Sequence, residues 1–256
     1  MTEKWAIVTG ASAGIGLDIA KLLAERDYHL VLVARSKDKL EEAQRQLASG
    51  SRQVRIVAID LAKAGASESL VHQTDKWGIV PEVLVNNAGS GVYGPFLDSN
   101  IDDVQGMLNL NIDALVHLTW LYGRKMRERK NGYIMQVAST GAFQPLPNYA
   151  AYAASKSFVL NFSRAFNYES RADGVTSTAL CPGPTLTGFF DKAQHKLSRS
   201  FQTIMMSSQD VARHGVNAMF AREECQVAGL LNKVSANLPR LLPSRLVVRG
   251  IAMFMK

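Results

Sequence analysis

The stretch Trp5-Ala6-Ile7-Val8-Thr9-Gly10-Ala11-Ser12-Ala13-Gly14-Ile15-Gly16-Leu17-Asp18-Ile19-Ala20 decides the fold class. Ala6 to Val8 reads as a buried strand, the three glycines as a turn, and Leu17 onward as a helix with apolar positions three and four apart. Glycines let the backbone turn tightly and let a pyrophosphate approach the main chain. The helix N-terminus adds free N–H groups and a positive dipole end. Dinucleotide binding is the use that suits such a turn; an ordinary strand-to-helix connection is the alternative.

The same alternation continues outward. Trp5 to Thr9, Leu30 to Ala34, Val54 to Ile59, Val83 to Asn86, Tyr133 to Val137 and Val175 to Leu180 read as strands. They lack polar alternation, the mark of strands covered on both faces. Residues 15–26, 37–49, 66–77, 101–130 and 150–171 carry the helical period between them. Repeated βαβ units predict a doubly wound parallel α/β sheet with helices on both faces, in which ligands bind beyond the carboxyl ends of the strands. The 256 residues suit one domain, and no Pro/Gly/Ser-rich linker marks a second.

Composition narrows the class. With 47% hydrophobic and 20% charged residues the chain has material for a large core. No apolar run approaches the about twenty residues of a membrane span, and Met1-Thr2-Glu3-Lys4 lacks a signal pattern. Cys181 and Cys225 are too few and too isolated for a disulfide framework or a metal site, so a reducing, cytoplasmic location is expected and no metal. The net charge of +7 is lopsided: residues 1–191 hold 19 basic and 19 acidic side chains, and 192–256 hold 10 and 3. The body is neutral, which argues against nucleic acid as a partner.

Further motifs follow in order: Asp60-Leu61 after the third strand, Asn86-Asn87-Ala88-Gly89 after the fourth, Asn111 in Asn109-Leu110-Asn111-Ile112, Ser139 after the fifth, Tyr152 and Lys156 four apart, and Pro182-Gly183-Pro184-Thr185-Leu186-Thr187 after the sixth. Together with T-G-x-x-x-G-x-G at Thr9 to Gly16, these resemble the classical short-chain dehydrogenase/reductase family over about residues 4–190. The resemblance implies a Rossmann-like seven-stranded sheet in the order 3-2-1-4-5-6-7, with Gln226 to Leu231 as the seventh strand. It also implies a cofactor site built from Gly10, Ser12, Gly14, Ile15, Gly16, Asp60, Leu61, Asn87, Ala88, Gly89, Pro182, Gly183, Thr185 and Thr187, with Tyr152 and Lys156 at its reactive end.

Tyr152 and Lys156 share a helix face, and a nearby ammonium stabilises a phenolate, lowering its pKa toward working pH. In the family's mechanism hydride passes between nicotinamide C4 and a carbonyl carbon while the tyrosine gives its proton to the carbonyl oxygen. The resemblance gives that role to Tyr152. It has Ser139 hold the same oxygen, Lys156 lower the tyrosine pKa and bind the ribose hydroxyls, and Asn111 bind a water linking Lys156 to solvent. Otherwise Asn111 is a helix-surface residue, and Ser139 or Ser155 a turn cap. An acidic residue after Ala34 would favour NAD(H). Arg35 stands there instead, with Lys37 and Lys39 nearby, so NADP(H) is expected over NAD(H); Lys37 and Lys39 could equally flank a solvated helix start opposite Glu41 and Glu42. The intact Asn111, Ser139, Tyr152 and Lys156 argue against a silent nucleotide sensor or scaffold of the same fold.

The resemblance places a substrate lid over residues 185–210, where Phe189, Phe190, Phe201, Ile204, Met205 and Met206 suit an apolar carbonyl or alcohol substrate. Val92, Tyr93, Phe96, Phe143, Leu146 and Tyr149 are its expected walls. Residues 239–256 form a basic amphipathic tail, with Arg245, Arg249 and Lys256 on one face and Leu246, Val247, Val248, Ile251, Phe254 and Met255 largely elsewhere. Packing on its own domain or in a homo-oligomer, a dimer or tetramer by resemblance, is favoured. Peripheral membrane contact comes second, and nucleic acid last.

Overall fold

The computed structural model describes residues 3–193, 195 and 205–254, with the side chains of 191, 192, 240, 241 and 254 outside the description. Its strands are β1 (Trp5–Thr9), β2 (His29–Ala34), β3 (Val54–Ala58), β4 (Val83–Asn86), β5 (Gly132–Val137), β6 (Val175–Cys181), β7 (Thr185–Leu186), β8 (Met206–Ser207) and β9 (Cys225–Val227). Seven of these form one sheet in the order β3-β2-β1-β4-β5-β6-β9, every pair parallel. The expected order holds. The seventh strand does not hold its expected span of Gln226–Leu231: Gly229 takes a φ of +87°, and the chain turns into the helix Leu230–Asn237. The left-handed backbone that glycine allows ends the strand before its apolar run does.

Six helices pack beside the early strands: α1 (Gly14–Ala24), α2 (Lys37–Leu47), α3 (Ala66–Lys76), α4 (Ile101–Leu108), α5 (Ala114–Glu128) and α6 (Ala150–Ser170). Along β1, Ala6 and Val8 pack in the cluster holding Ile19 and Leu23 of α1, whereas Trp5 and Ile7 pack in the one holding Leu118 and Tyr122 of α5. Successive side chains point to opposite faces, and both faces are covered, so the strand is apolar throughout. Ile7, Leu30 and Leu84 are fully buried, each contributing about 1.5–3 kcal/mol of burial.

The expected helix 101–130 is interrupted. Between α4 and α5 the residues Asn109–Asp113 form one wider, π-helical turn. Such turns insert a residue into a helix and re-aim a side chain, here that of Asn111, which is buried.

Beyond β6 the short parallel pair β7 and β8 ties Thr185 to Met206 and Leu186 to Ser207, pinning both ends of the expected lid; the helix Phe189–Lys192 (α7) lies between. Phe201, Ile204, Met255 and Lys256 lie outside the described residues. The helices Ser208–Phe220 and Ser244–Phe254 complete the chain, and no helix among the described residues is long and apolar enough to cross a membrane.

Candidate functional site

A cleft of about 1460 Å³ opens at the carboxyl ends of the strands, where the strand order reverses between β1 and β4. Every expected site residue lines it except Asn111, which lies behind Gly89.

The glycine turn is braced from behind. Thr9 Oγ1 accepts from the N–H groups of Asn87 and Ala88, each at 3.0 Å, and Asn87 Nδ2 donates to the Thr9 carbonyl at 2.9 Å. A Cβ on Gly16 would sit 2.5 Å from the Gly10 carbonyl oxygen, so the helix start meets the strand end with no room for a side chain. Gly10 and Gly14 have φ of +66° and +57°, and a Cβ on Gly14 would come within 3.0 Å of Thr187 on the opposite wall. Ala13 begins α1 with no side-chain cap, leaving the first N–H groups of the helix unclaimed by that residue. The cradle thus combines bare backbone, a helix N-terminus and a narrow slot, which fits the diphosphate of a dinucleotide.

At the other end of the cleft α6 presents Tyr152 and Lys156 to the loop after β5. Tyr152 and Ser139 line the cleft together, and the Ser139 side chain draws the phenol's pKa down. Ser139 Oγ also accepts from the Gly141 N–H at 3.0 Å, so the serine is at once a turn cap and a partner of the tyrosine. Lys156 is buried and its Nζ donates to the Val137 carbonyl at 2.8 Å, lying 5.9 Å from the Tyr152 ring centre. Gly89 makes room for it: a Cβ there would stand 3.3 Å from Lys156 Nζ and 3.1 Å from Asn111 Oδ1.

Asn111 is no surface residue. Its Oδ1 accepts from the Ser90 N–H at 3.0 Å, and its Nδ2 donates to the Ser90 carbonyl at 3.0 Å and to Ser155 Oγ at 3.1 Å. Ser155 in turn donates to the Tyr152 carbonyl at 2.7 Å, a backbone-bracing role. Ser90 and Ser155 thus brace the site from behind; Ser155 lies between Tyr152 and Lys156 in their motif, whereas Ser90 follows Gly89 with nothing in the sequence marking its role.

The electrostatics correct one expectation. Burial pushes the Tyr152 phenol up to about 12, with only the Ser139 hydrogen bond pulling it down, and the same burial pushes Lys156 down to about 8. Desolvation disfavours both charged forms. One N–H of the lysine is directed to the Val137 carbonyl.

At the outer end Arg35 and Lys39 line the cleft, while Lys37 pairs with Glu41 at 3.6 Å and so belongs to the solvated helix start. Val92, Tyr93, Phe189 and Phe190 line the inner end. Phe143 and Leu146 instead line a separate hollow with Pro145 and Ala154, and Phe96 is half exposed outside the cleft. These three aromatic and aliphatic residues are therefore not walls of the site.

A histidine absent from the sequence reading joins Tyr149 in an aromatic cluster packed on Tyr93; neither residue is part of the cleft lining, so Tyr149 is not the wall it was expected to be. His195 Nδ1 lies 3.1 Å from the Tyr149 hydroxyl, and its ring stacks on Tyr93 with centres 3.9 Å apart. Tyr149 meets Tyr152 edge-on at 5.6 Å, and Phe189 stands 5.4 Å from Tyr152. The signal for His195 was its place shortly after Phe189-Phe190 in the expected lid. Burial lowers its pKa, favouring the neutral ring.

Comparison with known proteins gives the same picture. A family model described as short chain dehydrogenase matches residues 4–198. The very-long-chain 3-oxoacyl-CoA reductase of Homo sapiens is 34% identical over 184 residues, covering 70% of this chain and 58% of that protein. The 17-beta-hydroxysteroid dehydrogenase type 3 of Mus musculus is 27% identical over 239 residues, 92% of this chain and 77% of that one. The chain thus spans little more than half the length of some of its curated relatives. Among solved structures, a short-chain dehydrogenase from Sphingobium yanoikuyae in complex with NADPH superposes with a TM-score of 0.84 at 25% identity, covering 98% of this chain and 95% of that one. A short chain dehydrogenase/reductase from Burkholderia phymatum in complex with NAD shares the fold at a TM-score of 0.84 and 22% identity, over 93% of each chain. With the matched model spanning most of the sequence and the same sheet order underneath, the chain belongs to the short-chain dehydrogenase/reductase family.

Proposed function

We propose that this chain is an NADP(H)-dependent oxidoreductase acting on a carbonyl or secondary alcohol carried by an apolar body. The carrying observation is the convergence of Ser139, Tyr152 and Lys156 at one end of the cleft whose other end is the glycine cradle. The nicotinamide cofactor, when bound, supplies or accepts the hydride. Tyr152 holds the proton at its hydroxyl: a phenol at about 12 stays protonated at neutral pH and serves as a donor to a developing alkoxide. Ser139, fixed by the Gly141 N–H, points a second hydrogen-bonding group at the same place. Lys156, held by Val137, is a cation 5.9 Å from the Tyr152 ring centre and the group suited to ribose hydroxyls. Asn111 holds the backbone of Ser90 in position behind them and is the residue to which a water leading to Lys156 would bind.

Arg35 and Lys39 favour NADP(H), since both can form charge-assisted bonds to a 2′-phosphate and no carboxylate follows Ala34. The lining of Val92, Tyr93, Phe189 and Phe190 favours flat or aliphatic substrates over sugars. Exposed Trp120 on α5 and Phe158 and Tyr168 on α6 are the surface a second copy would cover in a homo-oligomer.

The test is a panel of ketones, aldehydes and alcohols followed by reduced-nicotinamide absorbance, with NADPH and NADH at equal concentration. Turnover of apolar ketones with NADPH preferred is the expected result. Arg35→Asp should reverse the cofactor preference by about tenfold or more, the equivalent of losing one charge-assisted hydrogen bond. Equal use of both cofactors by the wild type would remove Arg35 from the site, and binding without turnover of any substrate would favour a sensor.

A further inference from the structure

After Glu224 the sequence contains no acidic residue, while Lys233, Arg240, Arg245, Arg249 and Lys256 follow. The same segment places large apolar side chains in solvent. On the helix Leu230–Asn237, Leu230, Leu231 and Val234 are 77%, 81% and 60% exposed, and Ala236 on the opposite face is buried. Positions 230, 234 and 238 repeat every fourth residue, so exposed Leu238 continues the stripe. On the helix Ser244–Phe254, Val247 is buried and Val248 and Ile251 half-buried, so the apolar face turned to the body is already used. Leu246 and Met253, seven residues apart on the outer face, remain 57% and 73% exposed, with Arg245 and Arg249 exposed beside them.

We propose that the outer faces of these two helices dock on an anionic phospholipid surface, with Leu230, Leu231, Val234, Leu246 and Met253 entering the interface and Lys233, Arg245 and Arg249 meeting the headgroups. Two helices whose exposed apolar side chains are accompanied, within the helices, by cations and no carboxylate have the composition that both terms of interfacial binding need, burial into the acyl boundary and attraction to negative lipid. A second copy of the chain fits worse. An isologous contact lays this patch on itself, and a patch with cations and no carboxylate repels its own copy. Nucleic acid would use the cations and leave the leucines in water. The face lies one helix away from the cleft: Asn232, on the inner side of the first helix, packs against Gly183, where a Cβ would stand 2.4 Å from Asn232 Oδ1.

The experiment is co-sedimentation of the full chain with phosphatidylcholine vesicles, pure or carrying about 30% phosphatidylserine, at low and high salt. Binding to the anionic vesicles alone, lost at high salt, is expected. Each of Arg245→Gln and Arg249→Gln should weaken it about fivefold. Leu246→Asp and Leu231→Asp, at exposed positions that leave the fold intact by circular dichroism, should abolish it. No sedimentation, or equal sedimentation with neutral vesicles, would overturn the proposal. An oligomer that Leu246→Asp dissociates while vesicle binding persists would give the face to a second copy. Salt-sensitive binding of duplex DNA unaffected by the leucine variants would give it to nucleic acid.

Discussion

The glycine turn at residues 9–16 lines the cleft and the helix pair at 230–254 lies outside its lining, and the two are held in opposite ways. Around the turn, β1 is buried along its whole length, and Thr9, Asn87, Gly10 and Gly16 brace one another by hydrogen bonds and contacts with no space for a Cβ. Moving any one of them moves the rest. In the helix pair the body claims Ala236 and Val247 and leaves five larger apolar residues in water. Packing determines the first region completely, so its residues are explained by the fold and its ligand. Packing leaves the second undetermined, so its residues point outside the chain.

That contrast can be broken by matched truncations. Leu32 is fully buried between the sheet and its helices, and Leu32→Ala should cost about 2–5 kcal/mol of stability in denaturant unfolding. A loss below about 0.5 kcal/mol would mean that the sheet interior is not the stable part.

A smaller effect separates the buried reactive groups from the surface cations. Burial holds Lys156 at about 8 against an ordinary 10.5, so between those values the folded chain binds fewer protons than the unfolded one. Stability contributed by this residue therefore rises with pH across that window. Lys156→Met should flatten the rise relative to wild type in unfolding measured at a series of pH values, and an unchanged slope would mean that the lysine is solvated. The smallest change belongs to the outer face: Leu246→Ala should alter stability by no more than about 0.5 kcal/mol, because it removes nothing packed. A loss rivalling that of Leu32→Ala would show the helix face to be core.

The sheet was legible because its strands are buried on both faces, which leaves continuous apolar runs that little else produces. The chain-order motifs placed all but one of the expected site residues on one cleft, since in this topology every loop after a strand meets at the same edge. The interruption at Asn109–Asp113 was not legible: the helical period is the same on both sides, and one extra residue in a turn leaves no trace in composition. Ser90 and His195 were missed because their roles come from tertiary contact alone, the first through backbone bonds to Asn111 and the second through stacking on Tyr93. The phenol's shift was misjudged for a related reason. Spacing along a helix reveals a neighbouring cation and says nothing of how deeply both groups are buried.

The central claim is that one hydroxyl, on Tyr152, carries the proton of the reaction while the cradle holds the cofactor independently of it. The direct measurement is turnover and NADPH affinity on the same preparation of Tyr152→Phe, with the wild type alongside and the best substrate from the panel. The account predicts turnover lower by at least about a hundredfold and an NADPH affinity within about threefold of wild type. Turnover above about a tenth of wild type would contradict it, because another group would then be delivering the proton.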